Sequence, residues 1–303
     1  MNYLIMLLMV LVSVAYLTLL ERKLLSYIQI RKGPNKVGVM GIFQPFSDGM
    51  KLLLKESIFS MKFNLNYYYL CPVMIFFISL LLWFLYPYYF LLIDLSLSLL
   101  WFFCILSMNV IPIMIMGWAS NSLYSSLGSL RVVAQTISYE ICLILLFLSM
   151  MVLIEGYNFW LFILYQKNLC LIFMMWMIMF MMFISMLAEM NRTPFDLVEG
   201  ESELVSGFNV EYMSSSFAMI FLGEYSNIIF LMMIYSMLGL NLFNLKLIFF
   251  LSWMLNIYFI MWIRGVLPRI RYDSLMYLIW LIFLPCSLNY LIFIYLFKYM
   301  LLI

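Results

Sequence analysis

Histidine is missing from this chain, and its five cysteines stand as isolated thiols at positions 71, 104, 142, 170 and 286. No C-x-x-C or other ligand spacing joins Cys71, Cys104, Cys142, Cys170 and Cys286, and an odd number argues against a full disulfide framework. Haem, iron–sulfur and zinc sites therefore lack their usual ligands, so no metal site is expected and any electron carrier belongs on another subunit. Each cysteine reads as a small buried hydrophobe. A Gly-rich phosphate cradle of the P-loop or dinucleotide type is missing too, and the basic residues are dispersed among loops. No nucleotide site and no nucleic-acid partner are expected. Catalysis by a His- or Cys-based nucleophile lacks its general base.

Charge is scarce as well: 10% of the 303 residues carry one, against about one quarter in a soluble domain. With 67% hydrophobic residues and a mean hydropathy of +1.10, the class is an integral membrane protein. The segment Leu4 to Leu20 has no positive n-region before it and no small-residue cleavage pattern after it, so it reads as a retained helix. An Arg- and Ser-rich transit sequence is likewise missing. Met (29), Phe (28) and Tyr (22) are abundant, a composition expected of an AT-rich coding sequence in a mitochondrial genome.

What the chain does have is apolar runs of ~20 residues, each enough to cross ~30 Å of hydrocarbon as helix. Eight spans are expected, at about 3–25, 67–90, 97–118, 131–155, 169–189, 213–238, 245–264 and 276–299. The fold class is thus an all-α polytopic bundle, one transmembrane domain over 1–303. Thirteen of the sixteen basic residues fall in the odd-numbered loops or at the span ends that adjoin them, leaving Lys167, Lys246 and Lys298 opposite. The positive-inside rule then puts the loops at about 26–66, 119–130, 190–212 and 265–275 on the cytoplasmic or matrix side.

Two of those loops hold more than turns. In "QPFSDGMKLLLKE", Phe46, Met50, Leu53 and Leu54 recur at helical spacing, with Asp48, Lys51 and Lys55 opposite. Such a helix is too short and too charged to span and should lie in the interface; the plainer alternative is a solvated loop helix. In "RTPFDLVEGESELVSGFNVEY", Thr193 suits an N-cap, Pro194 the first helical position and Asp196 the third. A short acidic helix to about Ser206 follows, stopped by Gly207. Asp196, Glu199 and Glu203 would share one face, and such crowding of like charges raises carboxyl pKa values.

Glu140 and Glu224 sit well inside spans, where an ionisable group costs roughly 3 kcal/mol and normally faces a bundle interior. A permanent ion pair and a structural hydrogen bond are the plain readings; few Lys or Arg within the spans weaken the first. For Glu140, Glu189, Glu199, Glu203, Glu211 and Glu224 together, a proton relay is the preferred reading. A secondary transporter or channel is the rival class, but it predicts internal repeats that the two halves lack.

The strings "LLERKLLSYIQIRKGPNKVG", "QPFSDGMKLLLKE", "GWASNSLYSSLGSLRVVAQTISYE", "AEMNRTPFDLVEGESELVSGFNVEY" and "WIRGVLPRIRYDSLMYLIW" closely resemble, in this order, the corresponding segments of the subunit 1 family of mitochondrial NADH dehydrogenase. That family is the membrane subunit of respiratory complex I (NADH:ubiquinone oxidoreductase) beside the quinone site, and the resemblance covers essentially the full length. It implies an eight-helix bundle in the mitochondrial inner membrane. Its odd loops would pack against hydrophilic quinone-module subunits, with small membrane subunits and lipids as neighbours. It also implies ubiquinone as substrate in a shared site, with NADH, FMN and iron–sulfur clusters bound by other subunits. Related subunits of membrane-bound hydrogenases are the nearer rivals.

Carried over by position, the resemblance assigns the quinone chamber to Glu21, Arg22, Arg31, Phe46, Asp48, Arg192, Phe195, Asp196, Arg269 and Arg271. It assigns a carboxylate path toward antiporter-like subunits to Glu140, Glu189, Glu199, Glu203 and Glu224, with Glu201 and Glu211 beside them. Ser26 and Gly223 depart from that family's usual Gly and Ala, as do Met190 and Ser214 to Ser216 from its usual residues; these departures bear on local packing and remove no charge.

Overall fold

The structure is a computed structural model that describes residues 2–57, 61–86, 96–166, 170–196, 207–209, 211–240 and 246–302. Among them every regular element is helical, as a chain in hydrocarbon requires when each backbone N–H and C=O must be satisfied within its own segment. The elements in chain order are α1 (Asn2–Ile28), α2 (Gln44–Leu54), α3 (Leu65–Leu82), α4 (Ser98–Ala119) and α5 (Leu123–Ile154). There follow α6 (Phe159–Tyr165), α7 (Leu171–Met174), α8 (Trp176–Glu189), α9 (Ser214–Gly239), α10 (Lys246–Val266), α11 (Tyr272–Tyr277) and α12 (Leu284–Leu302). A π-helical stretch, Leu278–Phe283, fuses α11 to α12.

Among the described residues seven helices are long and apolar enough to cross a membrane, and Trp176–Glu189 is a shorter apolar one. The span expected at 169–189 is thus divided: α7 ends before Met175, whose backbone leaves helical geometry, and α8 starts directly after it. The fourth long helix begins at Leu123, eight residues earlier than its hydropathy suggests. Its first turns, rich in Ser and Gly, pack instead of looping. A Cβ on Gly117 of α4 would fall 2.3 Å from Ser129 Cβ of α5, so the two helices touch backbone to side chain through small residues.

Contacts at helix ends sort the bundle into two faces. Tyr3 Oη donates to Leu80 O, Leu99 N to Tyr157 O, and Lys298 Nζ to Val152 O. The starts of α1 and α4 thus share one face with the ends of α3, α5 and α12. On the other, Asn64 N donates to Ala119 O and Ile270 N to Pro194 O, joining the first loop to the third and the seventh to the fifth. This is the alternation expected of antiparallel spans, and it brings nearly all basic residues to one end. The most enclosed span is α9; α1, α10 and α12 run along the outside with most of their apolar surface uncovered.

The amphipathic stretch in the first loop is helical as α2, with Pro45 in its first turn. Eleven residues make about 16 Å of helix, too short to cross. Its polar residues are not all turned outward: Asp48 pairs with Arg22 of α1 and accepts from Gln44 Nε2 at 3.1 Å. The fifth loop departs from the capped helix start expected at Thr193. Phe195 N donates to Arg192 O at 2.8 Å, closing a turn. Thr193 Oγ1 is buried without a hydrogen-bond partner among the described residues, so it caps nothing there. The acidic helix expected through Ser206 otherwise lies outside the described residues.

That loop is anchored on α5 at both described ends. Gln135 Nε2 of α5 donates to Ala188 O at 2.9 Å and to Phe195 O at 3.0 Å. Two turns earlier, a Cβ on Gly128 would lie 2.9 Å from Gly207 Cα, and Gly207 has φ +57°, a conformation that favours glycine. Phe208 and Tyr212 then fill a small apolar cluster with Tyr68 and Cys71 of α3 and Val132 of α5. Gly223 stands where a methyl would meet Ile75 Cγ2 at 2.9 Å, so the departure from Ala admits a closer approach of α9 to α3. Ser26 is buried, and its Oγ would lie 3.0 Å from a Cβ on Gly33; the bare residue opposite accommodates it.

Candidate functional site

Glu21 stands near the C-terminal end of α1 and is only 4% exposed. A carboxylate so enclosed needs charge partners and hydrogen bonds on its remaining lone pairs, and it has both. Arg264, near the end of α10, forms an ion pair with Glu21 Oε1. Arg192, just beyond α8, reaches the same oxygen at 3.4 Å. Tyr225 of α9 donates its phenolic hydrogen to Oε2 at 2.6 Å. The Arg192 guanidinium carbon also lies 4.4 Å from the centre of the Tyr225 ring, a cation–π contact. One acid, two guanidiniums and a phenol thus bind together three helices and the fifth loop.

This group opens onto a cavity of about 810 Å³ between α1, α2 and α9. Val14, Leu25, Met50, Leu53, Phe217 and Phe221 supply apolar wall, while Glu21, Tyr225 and Arg264 supply a polar patch. The Arg22–Asp48 pair is also part of the lining. Phe46 contributes from α2, with its ring edge-on to Tyr16 at 6.1 Å. Gly49 also faces this space; a Cβ there would meet nothing within 4 Å. Apolar walls with a few convergent polar groups suit a mainly hydrophobic ligand carrying hydrogen-bonding oxygen.

Of the ten residues expected to frame a chamber, Glu21, Arg22, Phe46 and Asp48 line this cavity, and Arg192 touches it through Glu21. Phe195, Asp196 and Arg269 form an adjacent group. Asp196 is 4% exposed and takes an ion pair from Arg269 at 3.5 Å, while the buried Phe195 ring lies 6.0 Å from that of Tyr139. Arg31 and Arg271 are brought to neither: Arg31 is exposed, and the Arg271 side chain, 81% exposed, pairs with Asp273 at 3.0 Å. Arg264 and Tyr225 are site residues that sequence reasoning passed over. Arg264 counts there only as one more basic loop residue, whereas it lies within α10; an Arg inside an apolar helix was the available signal.

The expected carboxylate path is described in part. Glu140 lies midway along α5, and Glu189 is the last residue of α8. Glu189 Oε2 is buried without a hydrogen-bond partner among the described residues. Glu224 is half-buried beside Tyr225. Glu211, also half-buried, is held by its backbone, whose carbonyl accepts from Tyr68 Oη at 2.8 Å. Tyr68 in turn stacks on Tyr212 at 4.4 Å, and burial pushes the Tyr212 phenol up from its ordinary pKa, keeping it neutral. Glu199, Glu201 and Glu203 lie outside the described residues. Around the loop ends Gln135 Oε1, Tyr139 Oη, Asn191 Oδ1 and both amide atoms of Asn209 are also buried without partners there. Such atoms are uncommon in folded proteins, and several gather around these loop ends.

No group of three or more His, Cys, Asp or Glu residues in metal-holding proximity occurs among the described residues. Cys71, Cys142 and Cys170 are buried and Cys286 partly so. Cys104 departs from the expectation: it is exposed, on the outer face of α4.

Comparison with known proteins bears on what this arrangement serves. A family model described as NADH dehydrogenase matches residues 1–295. The chain is 54% identical over 284 residues to NADH-ubiquinone oxidoreductase chain 1 of Aedes aegypti, covering 94% of this chain and 91% of that protein. It is 52% identical over 284 residues to the protein of the same name in Anopheles gambiae, covering 94% and 90%. With the one from Apis mellifera ligustica it shares 48% identity over 299 residues, 98% and 97% of the two chains. With matches of this length and a cavity walled by the same segments that carry the motifs, the chain belongs to the NADH dehydrogenase family, among its chain 1 members.

Proposed function

We propose that this chain is the core membrane subunit of NADH:ubiquinone oxidoreductase that frames the ubiquinone chamber and couples quinone reduction to proton translocation in the mitochondrial inner membrane. The names of its relatives support the enzyme. The observation that carries the site is the group of Arg192, Arg264 and Tyr225 gathered on the buried Glu21 at one wall of the apolar cavity.

The chemistry follows from that geometry. Reducing a quinone to a quinol takes two electrons and two protons, and negative charge develops on the carbonyl oxygens before protonation. Arg264 lines the cavity, where a cation stabilises such charge. A guanidinium drawn toward a new oxyanion loosens its hold on Glu21, and Arg192, bound to the same carboxylate, shifts with it. Arg192 begins the fifth loop, so a charge change in the cavity reaches the acidic segment mechanically as well as electrostatically. Glu140, Glu189, Glu211 and Glu224, with Glu199, Glu201 and Glu203, carry the response inward as a proton relay. Electrons arrive from iron–sulfur clusters on a neighbouring subunit, and NADH and FMN bind elsewhere in the assembly. The odd loops face the matrix and the hydrophilic quinone-module subunits; small membrane subunits pack beside the bundle.

Glu21→Gln tests this reading in the assembled complex. The amide keeps an acceptor for Tyr225 and loses the charge that holds both guanidiniums. NADH oxidation with a water-soluble acceptor should be unchanged, because that acceptor reads the hydrophilic arm, whereas ubiquinone reductase activity should fall at least about tenfold, the loss of roughly one charge-assisted bond. Equal ubiquinone reductase activity in the variant would overturn the assignment of the cavity.

A further inference from the structure

At the face opposite the Glu21 cavity, a second cavity of about 470 Å³ lies between the end of α5 and the end of α12. Glu155, Tyr157, Tyr295, Lys298 and Tyr299 give it its character. Glu155 caps α5 in a left-handed conformation, φ +59°. Lys298 Nζ donates to Val152 O and to Glu155 Oε1, each at 2.5 Å, so the cation sits on the last turn of α5, where the helix dipole favours it. An ammonium has three N–H donors; two are taken, and one remains for a ligand. Glu155 keeps its second oxygen, and its side chain is 62% exposed. Tyr157, Tyr295 and Tyr299 are all exposed, as tyrosines of a membrane interface are, and their ring faces favour ammonium groups.

The pocket therefore offers a cation, an anion and aromatic faces within a volume typical of ligand sites, ~300–1,000 Å³. A zwitterion is its complement: phosphate on Lys298, ammonium on Glu155 and the rings. What surrounds it points to a lipid. Leu288, Ile292, Tyr295 and Tyr299 recur at helical spacing along α12, and all four are exposed, making a continuous apolar track from the pocket toward the middle of the membrane.

We propose that this pocket seats one zwitterionic phospholipid of the phosphatidylethanolamine class, with its headgroup between Lys298 and Glu155 and an acyl chain along Tyr295, Ile292 and Leu288. The primary ammonium of ethanolamine donates hydrogen bonds to Glu155; the quaternary ammonium of choline has no N–H to give.

The test uses the intact complex in phosphatidylcholine nanodiscs containing a trace of photoactivatable phosphatidylethanolamine. Labelling should map to peptides spanning 148–157 and 288–299, should survive excess phosphatidylcholine, and should compete away with unlabelled phosphatidylethanolamine. Lys298→Met should lower it about tenfold, the loss of a charge-assisted hydrogen bond, and Lys298→Arg should retain it. Glu155→Gln should raise labelling by a phosphatidylglycerol probe relative to the ethanolamine lipid, since only the latter uses the carboxylate. Undiminished labelling in assembled Lys298→Met, equal competition by phosphatidylcholine, or displacement by inorganic phosphate would each overturn the proposal; the wild-type competition arm requires no variant to fold.

Discussion

The two ends of the bundle fasten their helices differently. Each uses a buried glutamine as a clamp: Gln135 donates to Ala188 O and Phe195 O, and Gln166 to Met237 O and Leu238 O at 3.0 and 2.8 Å. Beyond that they diverge. The Gln166 end adds the part-exposed Glu155–Lys298 pair, whereas the Gln135 end adds Glu21 with two arginines and several buried polar atoms that lack partners among the described residues. Backbone carbonyls and neutral amides suffice to hold spans together. Among the described residues buried charge stands at one end alone, so it is not what holds these spans together, and it lies beside the cavity on which the proposed function rests.

The sharpest break of this contrast is Glu21→Ala. It leaves the buried Arg192 and the part-buried Arg264 without this acid, a loss of about 3–5 kcal/mol, and assembled complex on a native gel should decline with ubiquinone reductase activity. Gly223→Leu drives a side chain into Ile75 and should cost about 1–3 kcal/mol, read as earlier thermal dissociation of the complex. Gln135→Ala and Gln166→Ala should each cost about 1 kcal/mol, near the usual value of an interhelical hydrogen bond in membranes. Only the first should also slow quinone reduction, because only Gln135 holds the fifth loop. If Gln166→Ala slowed it equally, the functional asymmetry of the two ends would be lost.

Glu189→Gln sharpens the contrast without changing fold: assembly should be intact, while proton pumping by reconstituted complex and coupled ubiquinone reduction drop. Normal pumping removes Glu189 from the relay. Smallest in stability is Gly49→Leu. Its Cβ meets nothing within 4 Å, so thermal stability should change by no more than about 0.5 kcal/mol, but the side chain fills cavity and the KM for ubiquinone should rise.

Much of this was legible in the sequence, for reasons that differ by element. Hydropathy located the spans because helices enclosed by lipid or by one another are apolar all round. It misplaced the start of α5, since Ser125, Gly128 and Ser129 look like loop residues while their smallness is what lets α5 pack against α4 and Gly207. It read 169–189 as one helix, although the backbone breaks at Met175. The α2 helix was visible in its period, but not that Asp48 turns back to Arg22, a choice made by a partner on another helix. Glu21 and Arg192 entered through resemblance to a known family. Arg264 and Tyr225 did not, because their bonds to Glu21 join residues that are remote along the chain, and no local pattern encodes such a meeting.

The two anchors of the fifth loop on α5 carry one more consequence. Gln135 holds Phe195, and Gly128 receives Gly207; seven residues apart on a helix, these footholds share a face and stand only about 10 Å from each other along the axis. The described ends of the fifth loop thus rest on the same short stretch of one rod. A small turn or slide of α5 would carry both footholds in step, and Glu140, a little farther along that rod, would move with them.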